Sequence, residues 1–382
     1  MPKYRIAWLP GDGVGHDVMN AARLVLDRLS FDAEYLPADI GWEFWCKEGN
    51  PLPERTIEVL KGTDCALFGA ITSKPRDEAN NELAPELQGK GLSYFSPIVK
   101  LRQLFDLHTN MRPCKAFPGN PLNYRDDIDL VVFRENTEGM YGGIEWFPLP
   151  QKVADAMADS AVGHPDRMKK WFEKGLENVA VSTRVMSRQG CESICRQAFE
   201  YATKHGRKSV TLCEKPNVLR ETGGLMTRTF REVAKGYPGV EPWEANIDAI
   251  CMWMVKNPQD YDVLVAENMF GDIVSDLCAG LVGGLGFASA ANIGDNYAVF
   301  EPTHGSAPKY AGKNVVNPMA MLLTVRLMFD WLGEPDLAAR LEGAIAEVIS
   351  DGAVGTYDVK GGKGGVGGDS TTAVAEAVAS KL

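Results

Sequence analysis

Asp272 and Asp276 stand four residues apart in Asn268-Met-Phe-Gly-Asp-Ile-Val-Ser-Asp276, between the apolar runs Val263-Leu-Val-Ala266 and Leu277-Cys-Ala-Gly-Leu281. On a helix, positions i and i+4 share one face about 6 Å apart, so both carboxylates can address one point. Like charges so close repel unless a cation lies between them, and a hard divalent metal suits such an oxygen pair. A solvated acidic helix face is the alternative reading. The flanking strand and the apolar continuation instead place the pair at the entrance of a mostly buried helix.

Other residues could act on the same chemistry. Arg102, Arg112 and Arg134 recur at landmarks, in a helical stretch, before Pro113 and after Ile128-Asp-Leu-Val-Val-Phe133. A guanidinium presents a planar fork to a carboxylate, so three converging arginines would hold a di- or tricarboxylate, whereas singly each reads as an ordinary ion pair. Tyr141, beside Gly142 and Gly143, and Lys215, directly after the strand-like Ser209 to Cys213, are candidate proton donors or acceptors; strand C-terminal ends are where α/β enzymes place chemistry. Asp248 opens a helical stretch and could be no more than a partner for the helix dipole. Glu301 to Pro318 is rich in small residues and proline, and His304, Lys309 and Tyr310 lie in it, so it reads as a ligand-binding loop.

These groups must be held by a scaffold, and the first 75 residues alternate short apolar runs with helical patterns, the signal of an α/β fold with a mainly parallel sheet. Thr72 to Leu92 reads as a long polar loop over a site, and Gly139 to Ser187 breaks the rhythm as an arm. The α/β pattern returns from Arg188 and becomes loop-rich from Gly284 to Pro318. Long helices and a glycine-dense stretch, Gly361 to Gly368, finish the chain. With 382 residues, 45% of them hydrophobic, there is material for two domains. A net charge of −11 argues against nucleic acid or an anionic membrane as partner. Eight cysteines without metal-ligand spacing read as buried free thiols in a reducing compartment, and the absence of a long apolar segment adds to the expectation of a cytoplasmic protein.

Gly11-Asp-Gly-Val-Gly15 follows a strand and precedes a helix, but it lacks the G-x-x-G spacing that sets a helix N-terminus on a pyrophosphate. A tight structural turn and a ligand contact both remain open for it.

Together Leu9-Pro-Gly-Asp-Gly-Val-Gly15, Leu101-Arg-Gln through Met111-Arg-Pro113, Phe133-Arg-Glu-Asn-Thr-Glu-Gly-Met-Tyr141, Asn268 to Asp276 and His304-Gly-Ser-Ala-Pro308 resemble the β-decarboxylating dehydrogenases, the isocitrate and 3-isopropylmalate dehydrogenase family, over nearly the whole chain. The resemblance implies a twisted mixed α/β sheet in two domains, not a Rossmann fold. Residues 1–107 and 284–382 would form a large cofactor domain, 108–138 and 188–283 a small domain for substrate, metal and dimer contacts, and 139–187 an arm at the dimer interface. It implies oxidative decarboxylation of a 3-substituted malate, with isocitrate first among candidates. Arg102, Arg112 and Arg134 would bind the carboxylates. Asp272 and Asp276 of one subunit, with Asp248 of its neighbour, would hold Mg²⁺ or Mn²⁺. Lys215, also from the neighbour, would relay the hydroxyl proton, and Tyr141 would protonate the carbon left after decarboxylation, so a homodimer with shared sites is implied.

Cofactor contacts carried over are Thr72, His304, Gly305, Ser306, Ala307, Lys309, Tyr310, Val316, Asn317 and Tyr357. Lys309 and Tyr310 stand where NAD-using members commonly carry an acidic and an aliphatic residue, which favours NADP, with NAD the alternative. Gly361 replaces an arginine of the phosphate site, leaving Lys360 or Lys363 to substitute. Substrate choice falls on Ser96 and Ile98 before Arg102. Ser96 keeps a family serine, but Ile98 replaces an asparagine, so homoisocitrate, 3-isopropylmalate, tartrate or a phosphonate-bearing malate are rivals to isocitrate. A non-catalytic regulatory paralogue is the rival from another class.

Overall fold

The fold is a computed structural model that describes residues 2–160 and 165–382. Twelve strands lie in chain order at Tyr4–Gly11 (β1), Ala33–Pro37 (β2), Cys65–Ala70 (β3), Thr109–Lys115 (β4), Asp129–Glu135 (β5), Glu145–Trp146 (β6), Val181–Ser182 (β7), Ser209–Glu214 (β8), Glu241–Asn246 (β9), Val263–Ala266 (β10), Ser289–Ile293 (β11) and Ala298–Pro302 (β12). Ten form one sheet in the order β2-β1-β3-β12-β11-β4-β5-β10-β8-β9. β2, β1, β3 and β12 run parallel, as do β5, β10, β8 and β9. Between them β12-β11-β4-β5 is an antiparallel seam.

The runs β3, β8 and β10 are buried along their entire lengths because helices cover both faces of the sheet, which is why they read as continuous apolar segments. On one face of the first half, Ile6, Leu67 and Phe300 pack with Val18, Val25, Phe329 and Ile345 from three long helices; on the other, Leu9, Phe68 and Val299 meet Leu60, Ile98 and Leu101. In the second half the Arg188–Lys204 helix covers Val131, Phe133 and Val265, while the Asn268–Leu281 helix covers Leu130, Val132 and Leu264. All eight cysteines are free thiols, six of them buried. Among the described residues no helix is long and apolar enough to cross a membrane.

The stretch expected to be loop-rich from Gly284 contains β11 and β12, which lie in the middle of the sheet. β4, around Arg112, and the edge strand β9 were likewise not expected. The Thr72 to Leu92 loop contains a short helix, Arg76–Asn81, and Ala79 and Leu83 pack on Trp45 in a small core of their own. In the arm, β6 and β7 pair antiparallel, and at its root Gly139 N donates to Val185 O at 2.8 Å. Gly11 and Gly13 resolve the open question of the first glycine motif toward a structural turn: both have positive φ, and a Cβ would stand 2.0 Å from Ala70 O at Gly11 and 2.2 Å from Ser306 O at Gly13.

Candidate active site

The seam sets the site out in a row. Asn292 of β11 lies opposite Asn110 of β4, and Asn110 opposite Arg134 of β5, so all three side chains leave the same face of the sheet. Arg112 is two residues beyond Asn110 and shares that face. The Asn268–Leu281 helix crosses it with Asp272 and Asp276 one turn apart, and the Pro97–Leu104 helix brings Arg102 from the other side.

The three arginines and the acidic pair come together in the structure. Arg134 pairs with Asp272 and donates from Nε and Nη2 to Asn268 Oδ1 at 3.0 and 2.8 Å. Arg112 reaches Asp272 at 3.2 Å, Asp276 at 3.1 Å and Ser275 Oγ at 2.9 Å. Arg102 is paired with Glu301 at 3.2 Å. Burial, and then the like charges of Arg112 and Arg102, push the Arg134 pKa down to about 10, so it remains a cation at neutral pH. Burial pulls Asp272 upward, but Arg134 and Arg112 outweigh it and leave the carboxyl below its ordinary range. Asp276 moves the other way, because burial and the Asp272 charge exceed the help of Arg112. Tyr141, on the turn Met140–Gly142 at the start of the arm, donates to Asp272 Oδ2 at 2.6 Å, and its ring lies 5.0 Å from the Arg134 guanidinium. Burial and the adjacent carboxylate raise its pKa, so its proton stays on at neutral pH.

One functional centre was not anticipated. Asn292 is fully buried, and its Oδ1 accepts from Arg102 Nε at 3.0 Å, Asn110 Nδ2 at 2.8 Å and Asn136 Nδ2 at 3.0 Å, while its Nδ2 donates to Glu301 at 2.8 Å. Asn110 Oδ1 in turn accepts from Arg112 Nε at 2.7 Å. A single amide thus orients two of the three arginines. The available signal was an asparagine two residues before Arg112 and another two after Arg134.

Lys215 follows β8 and pairs with Asp248 in the first turn of the Ile247–Lys256 helix; that hydrogen bond lowers the Asp248 pKa. Among the described residues no three metal-ligating side chains gather in one chain, so Asp248 does not join Asp272 and Asp276 within it. The acidic pair fits a hard divalent cation in donor chemistry, offering carboxylate oxygens from one helical face, but is too few for the six or more oxygens such ions take.

Of the expected cofactor residues, His304, Gly305, Ala307, Tyr310, Val316, Asn317 and Tyr357 line one cleft of about 330 Å³. Buried Ser306 and half-buried Thr72 lie outside its lining, their hydroxyls 2.6 Å apart, and Thr72 N donates to Asp12 at 2.8 Å. His304 Nε2 is buried without a hydrogen-bond partner, and burial lowers its pKa, so the ring is neutral and able to meet a polar ligand atom. Lys309 is exposed, its ammonium 4.7 Å over the Tyr310 ring, and the Tyr310 and Tyr357 rings are 5.8 Å apart. Lys360 is used elsewhere: its ammonium donates to Gly352 O at 2.6 Å and Ala353 O at 3.0 Å. Ser96 precedes the Arg102 helix without capping it, whereas Ile98 is buried in the core.

Residues 5–378 match the sequence profile described as isocitrate/isopropylmalate dehydrogenase. The chain is 40% identical over 359 residues to protein DlpA of Legionella pneumophila, covering 94% of this chain but spanning only 56% of that protein. It is 39% identical to the isocitrate/homoisocitrate dehydrogenase of Thermus thermophilus, covering 99% of this chain and 98% of the relative, and 39% identical to the 3-isopropylmalate dehydrogenase of Methanothermobacter thermautotrophicus, covering 94% and 95%. The crystal structure of isocitrate dehydrogenase from Methylococcus capsulatus superposes with a TM-score of 0.84 at 37% identity, covering 99% of both chains.

Proposed function

Because the chain belongs to the isocitrate/isopropylmalate dehydrogenase family, we propose that it oxidises the hydroxyl of a 3-substituted malate and releases CO₂, with NADP favoured over NAD and isocitrate the first substrate to test. The observation that carries this reading is the convergence of Arg102, Arg112 and Arg134 with Asp272, Asp276 and Tyr141 on one face of the seam. Three guanidiniums suit a substrate with two or three carboxylates.

Asp272 and Asp276 would hold Mg²⁺ or Mn²⁺, with Asp248 of a second copy. When bound, that cation would offset the negative charge that develops on the substrate oxygen, and the nicotinamide would accept the hydride. The arginines fix the carboxylates so that the scissile bond is held in one orientation. Lys215 of the neighbouring subunit relays the hydroxyl proton away from the substrate. Tyr141 then gives its phenolic proton to the carbon left by CO₂.

A homodimer is part of the proposal. Met252, Trp253 and Val255 on one helix and Ile273 on the next are exposed, an apolar surface that a second copy would cover. Free thiols throughout suit a cytoplasmic setting. A substrate other than isocitrate is favoured by one observation: buried Ile98 offers no donor to a third carboxylate, and Phe95 beside it is exposed. The test is formation of reduced cofactor with isocitrate, homoisocitrate, 3-isopropylmalate and tartrate, each with NADP and NAD in the presence of Mn²⁺. Turnover of one or more is expected, and a folded chain inactive across the panel overturns the assignment in favour of a regulatory paralogue.

A further inference from the structure

Arg184 leaves the arm immediately after β7 and turns inward, where its side chain is 8% exposed. Its fork meets Glu214 through Nη2–Oε2 at 2.6 Å and Nη1–Oε1 at 3.2 Å, and Nη1 also reaches Thr222 Oγ1 at 3.3 Å. Its Nε faces Glu267 Oε2 at 3.6 Å, and the guanidinium lies 5.1 Å from the Phe270 ring centre. Both carboxylates are 1% exposed, so each depends on this one cation for ionic compensation among the described residues.

Each of the two acids is attached to an element of the proposed chemistry. Glu214 ends β8 and its Oε1 accepts Lys215 N at 2.8 Å, fixing the backbone from which the lysine projects. Glu267 caps the Asn268–Leu281 helix by accepting Phe270 N at 2.8 Å, which sets the first turn of the helix that carries Asp272 and Asp276. Arg184 itself is next to Val185, whose carbonyl pairs with Gly139 at the root of the arm, and Tyr141 lies two residues beyond that root. Gly139 is fitted tightly here: a Cβ would stand 2.8 Å from Glu267 Oε2.

We propose that Arg184 is a positioning residue for catalysis, a key that holds the arm root, the Lys215 strand end and the acidic helix in mutual register. It touches neither substrate nor cofactor. Resting on the dehydrogenase reading above, this predicts a loss concentrated in the chemical step. Arg102 and the Nε of Arg112 are held by Asn292, Asn110 and Glu301 of the seam, outside the contacts of Arg184, whereas Arg134 leans on Asn268 and Asp272 of the helix that Glu267 caps, so a rise in KM should be small beside the fall in kcat.

The test compares wild type, Arg184→Lys, Arg184→Met and the neutral triple variant Arg184→Met/Glu214→Gln/Glu267→Gln, using whichever malate the wild type turns over. Activity of the wild type judges the dehydrogenase reading separately. Arg184→Lys keeps the charge and loses the fork; its kcat should fall by roughly tenfold, with substrate and cofactor KM within about threefold of wild type. Arg184→Met should lose about 100-fold in kcat, the scale of an ångström-level misplacement. The triple variant, freed of buried uncompensated charge, should regain much of the melting temperature lost by Arg184→Met without regaining kcat. Wild-type kcat in Arg184→Lys overturns the proposal, as does recovery of kcat in step with stability in the triple variant. If Arg184→Met does not fold, the other two variants decide.

Discussion

In the proposed substrate pocket Arg102, Arg112 and Arg134 are buried, and each is held by at least two side chains rooted in the seam or the acidic helix; in the proposed cofactor cleft Lys309 is exposed and leans on Tyr310, which pairs with Tyr357 from a distant loop. The difference is one of cost. A change in the first region strands a buried donor or charge, at about 1–3 kcal/mol for a polar atom and more for an ion. A surface change in the second costs within about 0.5 kcal/mol. On the proposed reading, reaction class is written where substitution is expensive, and cofactor preference where it is cheap.

The strongest way to break this contrast is Asp272→Asn. It should lower Mn²⁺-dependent turnover by about 10³-fold while circular dichroism shows a retained fold, because Asp272 is addressed by Arg134, Arg112 and Tyr141 together. Turnover near that of the wild type would remove the acidic pair from the mechanism. Asn292→Leu should come next. With the amide gone, Arg102 and Asn110 lose their shared acceptor, so the substrate KM should rise by roughly 30-fold and urea unfolding should show a loss of about 2 kcal/mol or more. An unchanged KM would show that Arg102 holds its orientation through Glu301 alone.

On the other side of the comparison, Lys309→Asp with Tyr310→Ile should move the preference from NADP toward NAD by about 10–100-fold in the ratio of kcat/KM, with the melting temperature nearly unchanged. A large drop in stability there would erase the proposed division between the two regions.

The smallest effect concerns His304. Its pKa is depressed by burial, so the unfolded chain binds the proton more readily than the folded one. Stability is complete above the ordinary histidine value near 6.5 and falls as the pH drops below it. Between pH 7.5 and 5.5, His304→Asn should therefore lose less in Tm than wild type, by about 2 °C in differential scanning calorimetry.

The same division explains what the sequence shows and hides. β3, β5, β8 and β10 are legible because uninterrupted apolar runs go between two helix layers. β4, β11 and β12 are not, because Asn110, Arg112, Asn292 and Glu301 occupy inward positions that the alternation rule reserves for apolar side chains. The strands that carry the site are disguised by carrying it. β9 is hidden for a plainer reason, an edge position that tolerates Pro242 and exposed polar residues. Asp272 and Asp276 were visible because a helical spacing can be counted along the chain, whereas the convergence of Arg184, Glu214 and Glu267 spans 83 residues and exists only after folding.

The sheet order also bears on folding. Two junctions close long loops, β4 with β11 across more than 170 residues and β3 with β12 across more than 230, whereas β4–β5 and β11–β12 pair locally. Closing such long loops carries an entropic penalty that only the finished contacts repay, so these two junctions are expected to form after the local pairs. A chain in which those junctions have not formed carries the arginines without the geometry proposed to bind a substrate.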